Sequence, residues 1–307
     1  MLKKTSSNTT AGGIIESVED VTPVVLRAMS GADNARLSVV MESLVRHLHA
    51  FAREVALTER ELEFGLGYLN RIGQATNSAH NEAVLLSDAV GLSTLVCLIN
   101  NSTAAETAAA LLGPFWRANS PRTESGATIA RSPTPGEDLF VSCQVVDAVG
   151  KGIPGVEVDV WQSSPVGLYE NQDHEQADMN LRGKFATDID GRFSFRSVKP
   201  AGYPVPTDGP VGEMLEAQRR HPYRPAHIHF LCFKPGLKTL VTQVFVDDDK
   251  HLESDVVFGV TRFLVGEFRR HDAGEPPMTG MKCPWYTLNY RFVLEAGEAV
   301  LPKPPIS

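Results

Sequence analysis

The chain has 307 residues, 42% of them hydrophobic and 21% charged, an ordinary balance for a folded protein long enough to form two packed units. Lys and Arg number 29 against 37 acids, and the net charge of -8 disfavours a phosphate-tracking surface, so no nucleic-acid partner is expected. Neither a membrane span nor an export signal is expected: no run approaches the ~18 apolar residues of a span, and TSSNTTAGG after Lys3 and Lys4 is more polar than a signal peptide's apolar stretch.

The opening residues, 1–13, are rich in Ser, Thr and Gly and read as a disordered tail. From about Ser17 to Thr76 apolar residues recur at helical spacing. Leu37, Val40, Met41, Leu44, Leu48, Phe51 and Val55 step by three and four along one stripe. Thr58 with Glu61 forms a capping-box pattern that opens a further helix. Another helix is predicted over Glu82 to Asn100, and a shorter one around Ala104 to Leu111. These stripes exceed what one short bundle needs, so part of them is expected to bury against a second subunit.

The texture changes after Leu112, where GPFWRANSPRTESGATIARSPTPGE is loop-like. Beyond Asp138 the pattern is β. LFVSCQVVDAVGKGIPGVEVDVWQSS is split by a Gly-Lys-Gly turn, and GKFATDIDGRFSFRSV reads as a hairpin around Asp190-Gly191. AHIHFLCF, TLVTQVFV and YTLNYRFVLE supply three more strands. The predicted fold is α+β: an N-terminal helical domain over 14–125, then a mostly antiparallel β-sandwich over 126–307. The dispersed Cys97, Cys143, Cys232 and Cys283 contain no Cys-x-x-Cys pair, which points to reduced thiols and a cytoplasmic location.

Residues 224–230 read Arg-Pro-Ala-His-Ile-His-Phe. Residues two apart on a strand project to one face, with Cα atoms roughly 6.5–7 Å apart, so His227 and His229 converge while Ile228 points away. That is a natural ligand pair, although two satisfied imidazoles on a half-exposed strand remain an alternative. Only six tyrosines are present, and two have unusual settings. Tyr169 lies in PVGLYENQD, and Tyr203 lies in KPAGYPVPTDGP, where prolines stiffen the backbone. A phenol ionises near pH ~10, but a bound cation can take its place as counter-charge and strip the proton. Asp247-Asp248-Asp249 reads as a charged loop rather than a cation site.

Gly167-Leu168-Tyr169, Gly202-Tyr203-Pro204 and Arg224 through His229 together resemble the motifs of the intradiol ring-cleavage dioxygenases, in order and in separation. The resemblance extends over most of the chain, since that family also places a helical domain before a β-sandwich. It implies Fe(3+) held by Tyr169, Tyr203, His227 and His229. It also implies O2 and an aromatic diol as substrates, with Tyr203 acting as a base on the diol. Leu85-Leu86-Ser87-Asp88, the run Leu111, Leu112, Gly113, Pro114, Phe115, and Tyr203 through Gly212 are most similar to hydroxyquinol 1,2-dioxygenases. Asp88 then becomes the candidate acceptor for a third ring hydroxyl. Arg224 resembles the family's active-site arginine, and Gln243 a polar residue beside the substrate. Leu85, Phe115, Val205, Pro206 and Val257 are implied pocket walls. The family further implies a homodimer joined through the helical domains, sometimes with phospholipid between them. Cleavage of catechol or a chlorocatechol is the alternative within the family, and a non-catalytic binding module the alternative outside it.

Overall fold

A computed structural model describes residues 13–77, 80–101 and 107–305. Apart from Gly13, the expected N-terminal tail lies outside them. The helices come first: α1 (Val18–Met29), α2 (Ala35–Glu54), α3 (Glu59–Ala75), α4 (Glu82–Ala89) and α5 (Leu92–Asn100). Then follow β1 (Asp138–Val146), β2 (Glu157–Gln162), β3 (Arg182–Ala186), β4 (Arg192–Val198) and β5 (Tyr203–Pro204). After α6 (Pro210–Ala217) come β6 (Tyr223–Arg224), β7 (His227–Phe233), β8 (Leu240–Val246), β9 (Val265–Gly266), β10 (Phe268–His271) and β11 (Trp285–Val293).

Compactness divides the chain between Leu69 and Asn70, inside α3. In the first unit α1 and α2 are joined by the Thr22 hydroxyl, 3.0 Å from His49 Nδ1 and 3.2 Å from Arg53 Nη1. Neither helix has a buried residue, and Leu44, Leu48 and Phe51 of the predicted stripe are about half exposed. The capping box at the start of α3 forms: Thr58 N–H donates to Glu61 at 2.9 Å, and Glu61 N–H donates back to the Thr58 hydroxyl at 3.3 Å.

The second unit is a sandwich of two sheets, ordered β10-β11-β1-β4 and β3-β2-β7-β8-β9, with a small β5-β6 ribbon beside them. Most pairings are antiparallel; β1–β11 and β8–β9 are parallel. Period-2 alternation sends Val141, Cys143 and Val145 of β1 and Ile228, Phe230 and Cys232 of β7 into one shared core. Phe230 is fully buried there, worth roughly 2–3 kcal/mol by area. The second face of β7 is buried as well, and it carries His227 and His229.

Three expectations are corrected. The stretch 183–198 is not a hairpin, because β3 pairs with β2 in one sheet and β4 with β1 in the other. Its phenylalanines face each other across the sandwich, Phe185 lying 5.6 Å from Phe193 and 5.3 Å from Phe195 by ring centres. Burying three aromatic faces outweighs the two-strand pairing that the turn would permit. The helix predicted over 82–100 is two helices bent by 77°, broken at Gly91, whose φ of +75° is left-handed. The short helix around 104–111 is partly outside the described residues, and 107–111 is not helical. β8 claims that backbone: Ala110 N–H donates to Val241 O at 2.9 Å, and the Thr242 hydroxyl donates to Ala108 O at 2.8 Å. No single helix among the described residues is long and apolar enough to cross a membrane.

Candidate functional site

The outward face of the five-stranded sheet holds the candidate site, because the residues between the core positions of β2, β7 and β8 point that way. Register aligns Trp161 of β2, His229 of β7 and Gln243 of β8 in one row. The indole stacks on His229 with centroids 4.6 Å apart and planes at 9°.

His227 Nδ1 lies 2.7 Å from the Pro225 carbonyl, so that nitrogen carries the proton and donates it. Its Nε2 is therefore a bare lone pair, 3.0 Å from His229 Nε2. His229 Nδ1 is buried without a partner. Burial, then the nearby Arg224 charge, pulls His227 down to about 3. Burial, then His227 and Arg224, also holds His229 well below the usual range. Both imidazoles are neutral at pH 7, the form that ligates a metal.

Tyr169, from the loop after β2, and Tyr203, on β5, complete a circuit of four rings. Tyr169 and Tyr203 meet edge to face at 5.5 Å, Tyr203 lies 5.5 Å from His227, and Tyr169 lies 6.4 Å from His229. The Tyr169 hydroxyl is buried with no hydrogen-bond partner. Burial, then the neighbouring Tyr203, pushes its pKa well above the ordinary phenol value. The protein's own field therefore keeps Tyr169 protonated, and a cation is what would ionise it. An orphaned phenol oxygen beside two neutral imidazoles whose Nε2 atoms face each other forms a fitting donor set for a ferric ion. Among the described residues no group of three or more His, Cys, Asp or Glu could hold a metal.

Arg224 on β6 is buried beside this circuit. Its Nε and Nη2 donate to Asp255 at 3.2 and 3.1 Å, Nη2 donates to Gln243 Oε1 at 2.9 Å, and Nη1 lies 3.4 Å from His227 Nε2. Gln243 in turn donates to the Leu111 carbonyl at 2.7 Å. Burial works against the guanidinium charge, but Asp255 more than offsets it and Arg224 stays ionised. Asp255 is likewise held below the usual carboxylate range, because Arg224 outweighs the cost of burial.

The expected pocket residues divide. Phe115 stacks on Tyr169 at 4.4 Å and meets Tyr203 at 6.3 Å, and Leu112 packs into the same cluster. Gly113 has a φ of +73°, and a Cβ there would come within 3.2 Å of His229 Cε1, so only glycine suits the position. Leu85 and Asp88 sit three apart on one face of α4, Leu85 buried and Asp88 partly so. Burial raises the Asp88 carboxyl, opposed by the Ser93 hydroxyl and the Arg224 charge. Val205 and Val257 are buried, whereas Pro114 and Pro206 are exposed and stay outside the buried cluster. The Asp247-Asp248-Asp249 side chains diverge, Asp247 accepting from Phe268 N–H, Asp248 pairing with Lys199 and Asp249 accepting from Ala226 N–H.

Three contributors escape a reading of residue spacing. Asp255 is the counter-charge of Arg224, and a buried arginine demands one, but no local pattern singles out this acid. Trp161 becomes visible only once β2 is registered against β7. Arg182 is fully buried, donating to Glu170 at 2.7 Å and to the Phe115 carbonyl at 2.6 Å, and so holds both neighbours of the Tyr169 ring.

Comparison with known proteins agrees with this geometry. A family model described as "Dioxygenase" matches residues 111–296, and one described as "Catechol dioxygenase N terminus" matches 34–108. The chain is 40% identical to a hydroxyquinol 1,2-dioxygenase of Nocardioides simplex, over 90% of this chain and 94% of that protein. It is 38% identical to a catechol 1,2-dioxygenase of Candida albicans, over 86% of this chain and 88% of the other. A crystal structure of hydroxyquinol 1,2-dioxygenase from Pseudomonas putida DLL-E4 superposes with a TM-score of 0.85 at 39% identity, covering 91% of this chain and 99% of that one. With matches of that extent along both halves, the chain belongs to the intradiol ring-cleavage dioxygenase family.

Proposed function

We propose that this enzyme cleaves hydroxyquinol (1,2,4-trihydroxybenzene) with O2 between its adjacent hydroxyls, giving 3-hydroxy-cis,cis-muconate, the tautomer of maleylacetate. The ferric centre is assigned to Tyr169, Tyr203, His227 and His229. The observation that supports this is the meeting of two phenol and two imidazole rings from three separate stretches, one of them ending in an orphaned phenol oxygen. When bound, Fe(3+) would supply Lewis acidity, lowering the proton affinity of the phenols and of the substrate diol.

The protein's own groups have distinct tasks. Tyr203, as the phenolate that a bound ferric ion would create, would take a proton from a ring hydroxyl as the diol binds and leave as the neutral phenol. Arg224, fixed by Asp255 and Gln243, places a permanent positive charge where the ring gathers negative charge, inside a pocket that water does not screen. Phe115, Leu112, Val205 and Val257 exclude water from that space. Asp88 accepts a hydrogen bond from the third hydroxyl, which favours hydroxyquinol over catechol. The likeness to hydroxyquinol dioxygenases supports this choice of substrate; the Candida albicans relative keeps catechol as the second reading.

Steady-state kinetics on a panel of diols tests the proposal. Hydroxyquinol should show the highest kcat/KM, iron should make the protein burgundy, and Asp88→Ala should cost hydroxyquinol roughly tenfold more than catechol. Faster turnover of catechol would transfer the assignment to the second reading, and a protein left colourless by added iron would remove the metal centre.

The helical half supports a homodimer. α1 and α2 have no buried residue, and the groove of about 660 Å³ beside them is lined by Leu26, by Arg27, Arg46 and Arg53, and by the acids Glu19 and Glu42, Arg46 being paired with Glu42; a phospholipid headgroup would share these charges. Sedimentation should give a dimer; a monomer at micromolar concentration would discard this reading. The four free thiols fit a reducing cytoplasm.

A further inference from the structure

Arg220 follows α6 and lies partly exposed, yet its guanidinium reaches two other parts of the chain. Nη1 donates to the Ala89 carbonyl at 2.8 Å, and Nη2 donates to the Val256 carbonyl at 2.8 Å. Ala89 ends α4 and directly follows Asp88; Val256 directly precedes Val257. The last carbonyls of a helix lack partners within it, and a cation there also meets the negative end of the helix dipole. The arm is itself anchored, since Arg220 N–H donates to Leu215 O at 2.8 Å.

The two segments it joins are shaped for the contact. Phe258 adopts a φ of +59°, uncommon for a bulky residue, and its ring centre lies 4.9 Å from Arg220 Cζ. The same ring covers Gly91, where an added Cβ would lie 3.3 Å from Phe258 Cδ2. Thr94 on α5 donates to the Val257 carbonyl at 3.0 Å. On its far side the 255–259 turn is held by Asp255, which accepts from Gly259 N–H at 3.0 Å and pairs with Arg224. The corner between α4 and α5 is thereby tied to the turn that also secures the active-site arginine.

We propose that Arg220 is a positioning residue for ring specificity: by bridging Ala89 O and Val256 O it sets the separation between Asp88 and Val257, and hence how well the third hydroxyl of the substrate reaches its acceptor. Arg220 acts through these two residues and does not touch the ring. The inference rests on the reading of Asp88 as that acceptor.

Arg220→Ala and Arg220→Lys, each iron-loaded, test it by kinetics on hydroxyquinol and catechol and by hydrogen exchange. Arg220→Ala should lower kcat/KM for hydroxyquinol on the order of tenfold, mainly through KM, and that for catechol by less than about threefold. Arg220→Lys, able to keep one of the two bonds, should fall between. Amide exchange should quicken over 86–95 and 255–260, while the visible spectrum of the substrate-free enzyme stays unchanged. Equal losses on both substrates, or unaltered exchange in both segments, would overturn the proposal. Asp88→Ala separates the two levels. A selective Asp88 effect with a non-selective Arg220 effect rejects the clamp alone, whereas equal losses in Asp88→Ala reject the acceptor reading and the clamp's role in specificity with it.

Discussion

Tyr169→Phe should abolish most of the visible colour of the iron-loaded protein and reduce kcat on the order of a thousandfold or more, while leaving the iron-free protein as stable as before. The two outcomes pull apart because the hydroxyl has no hydrogen-bond partner in its buried position. A hydroxyl buried without a partner costs roughly 1–3 kcal/mol, so its removal should hold or slightly raise the melting temperature of the metal-free chain. Phenylalanine keeps the stack on Phe115 and the edge contact with Tyr203. A variant that melts well below the parent without iron would mean the hydroxyl is structural, and one that keeps full colour would remove Tyr169 from the ligand set. Spectra and thermal melts of the same two proteins, with and without iron, decide the matter.

Arg224→Met should show the opposite combination. The substitution leaves Asp255 buried without its counter-charge, a loss of about 3–5 kcal/mol by denaturant unfolding. If Arg224 acts by charge stabilisation, as proposed, and not as a ligand, the colour should persist while kcat/KM falls on the order of a hundredfold. Combining it with Asp255→Leu should recover part of the stability and none of the activity, because an apolar pair removes the stranded charge without replacing the cation. Recovery of activity in the double variant would show that Arg224 serves only to neutralise Asp255.

Much of this site was legible before the fold, and the reason is local periodicity. His227 and His229 share a face because strand geometry forces residues two apart together, and nothing distant is needed to see it. The stripe of α2 and the capping box of α3 are equally local. What periodicity could not supply was partnership. Two alternating runs around a turn look like a hairpin whether or not they pair, and only the packing of Phe185 on Phe193 and Phe195 sends β3 and β4 to separate sheets. Gly91 looks tolerable within a helix until its left-handed backbone breaks it. Asp255 and Arg220 were hidden for a similar reason: their partners lie 31 residues away and as much as 131 residues away in the chain. Tyr169 and Tyr203 were found by likeness to a family, since neither setting reveals that the rings meet.

The cross-strand row of Trp161, His229 and Gln243 also bears on how such a chain can vary over time. Substitutions in β2, β7 or β8 alter one side chain each, but adding or deleting a single residue ahead of the row in any of them turns its member toward the phenylalanine layer. Length changes are consequently tolerable only in the connecting loops, so descendants of this enzyme can diversify their pocket rims while the spacing inside these three strands stays frozen.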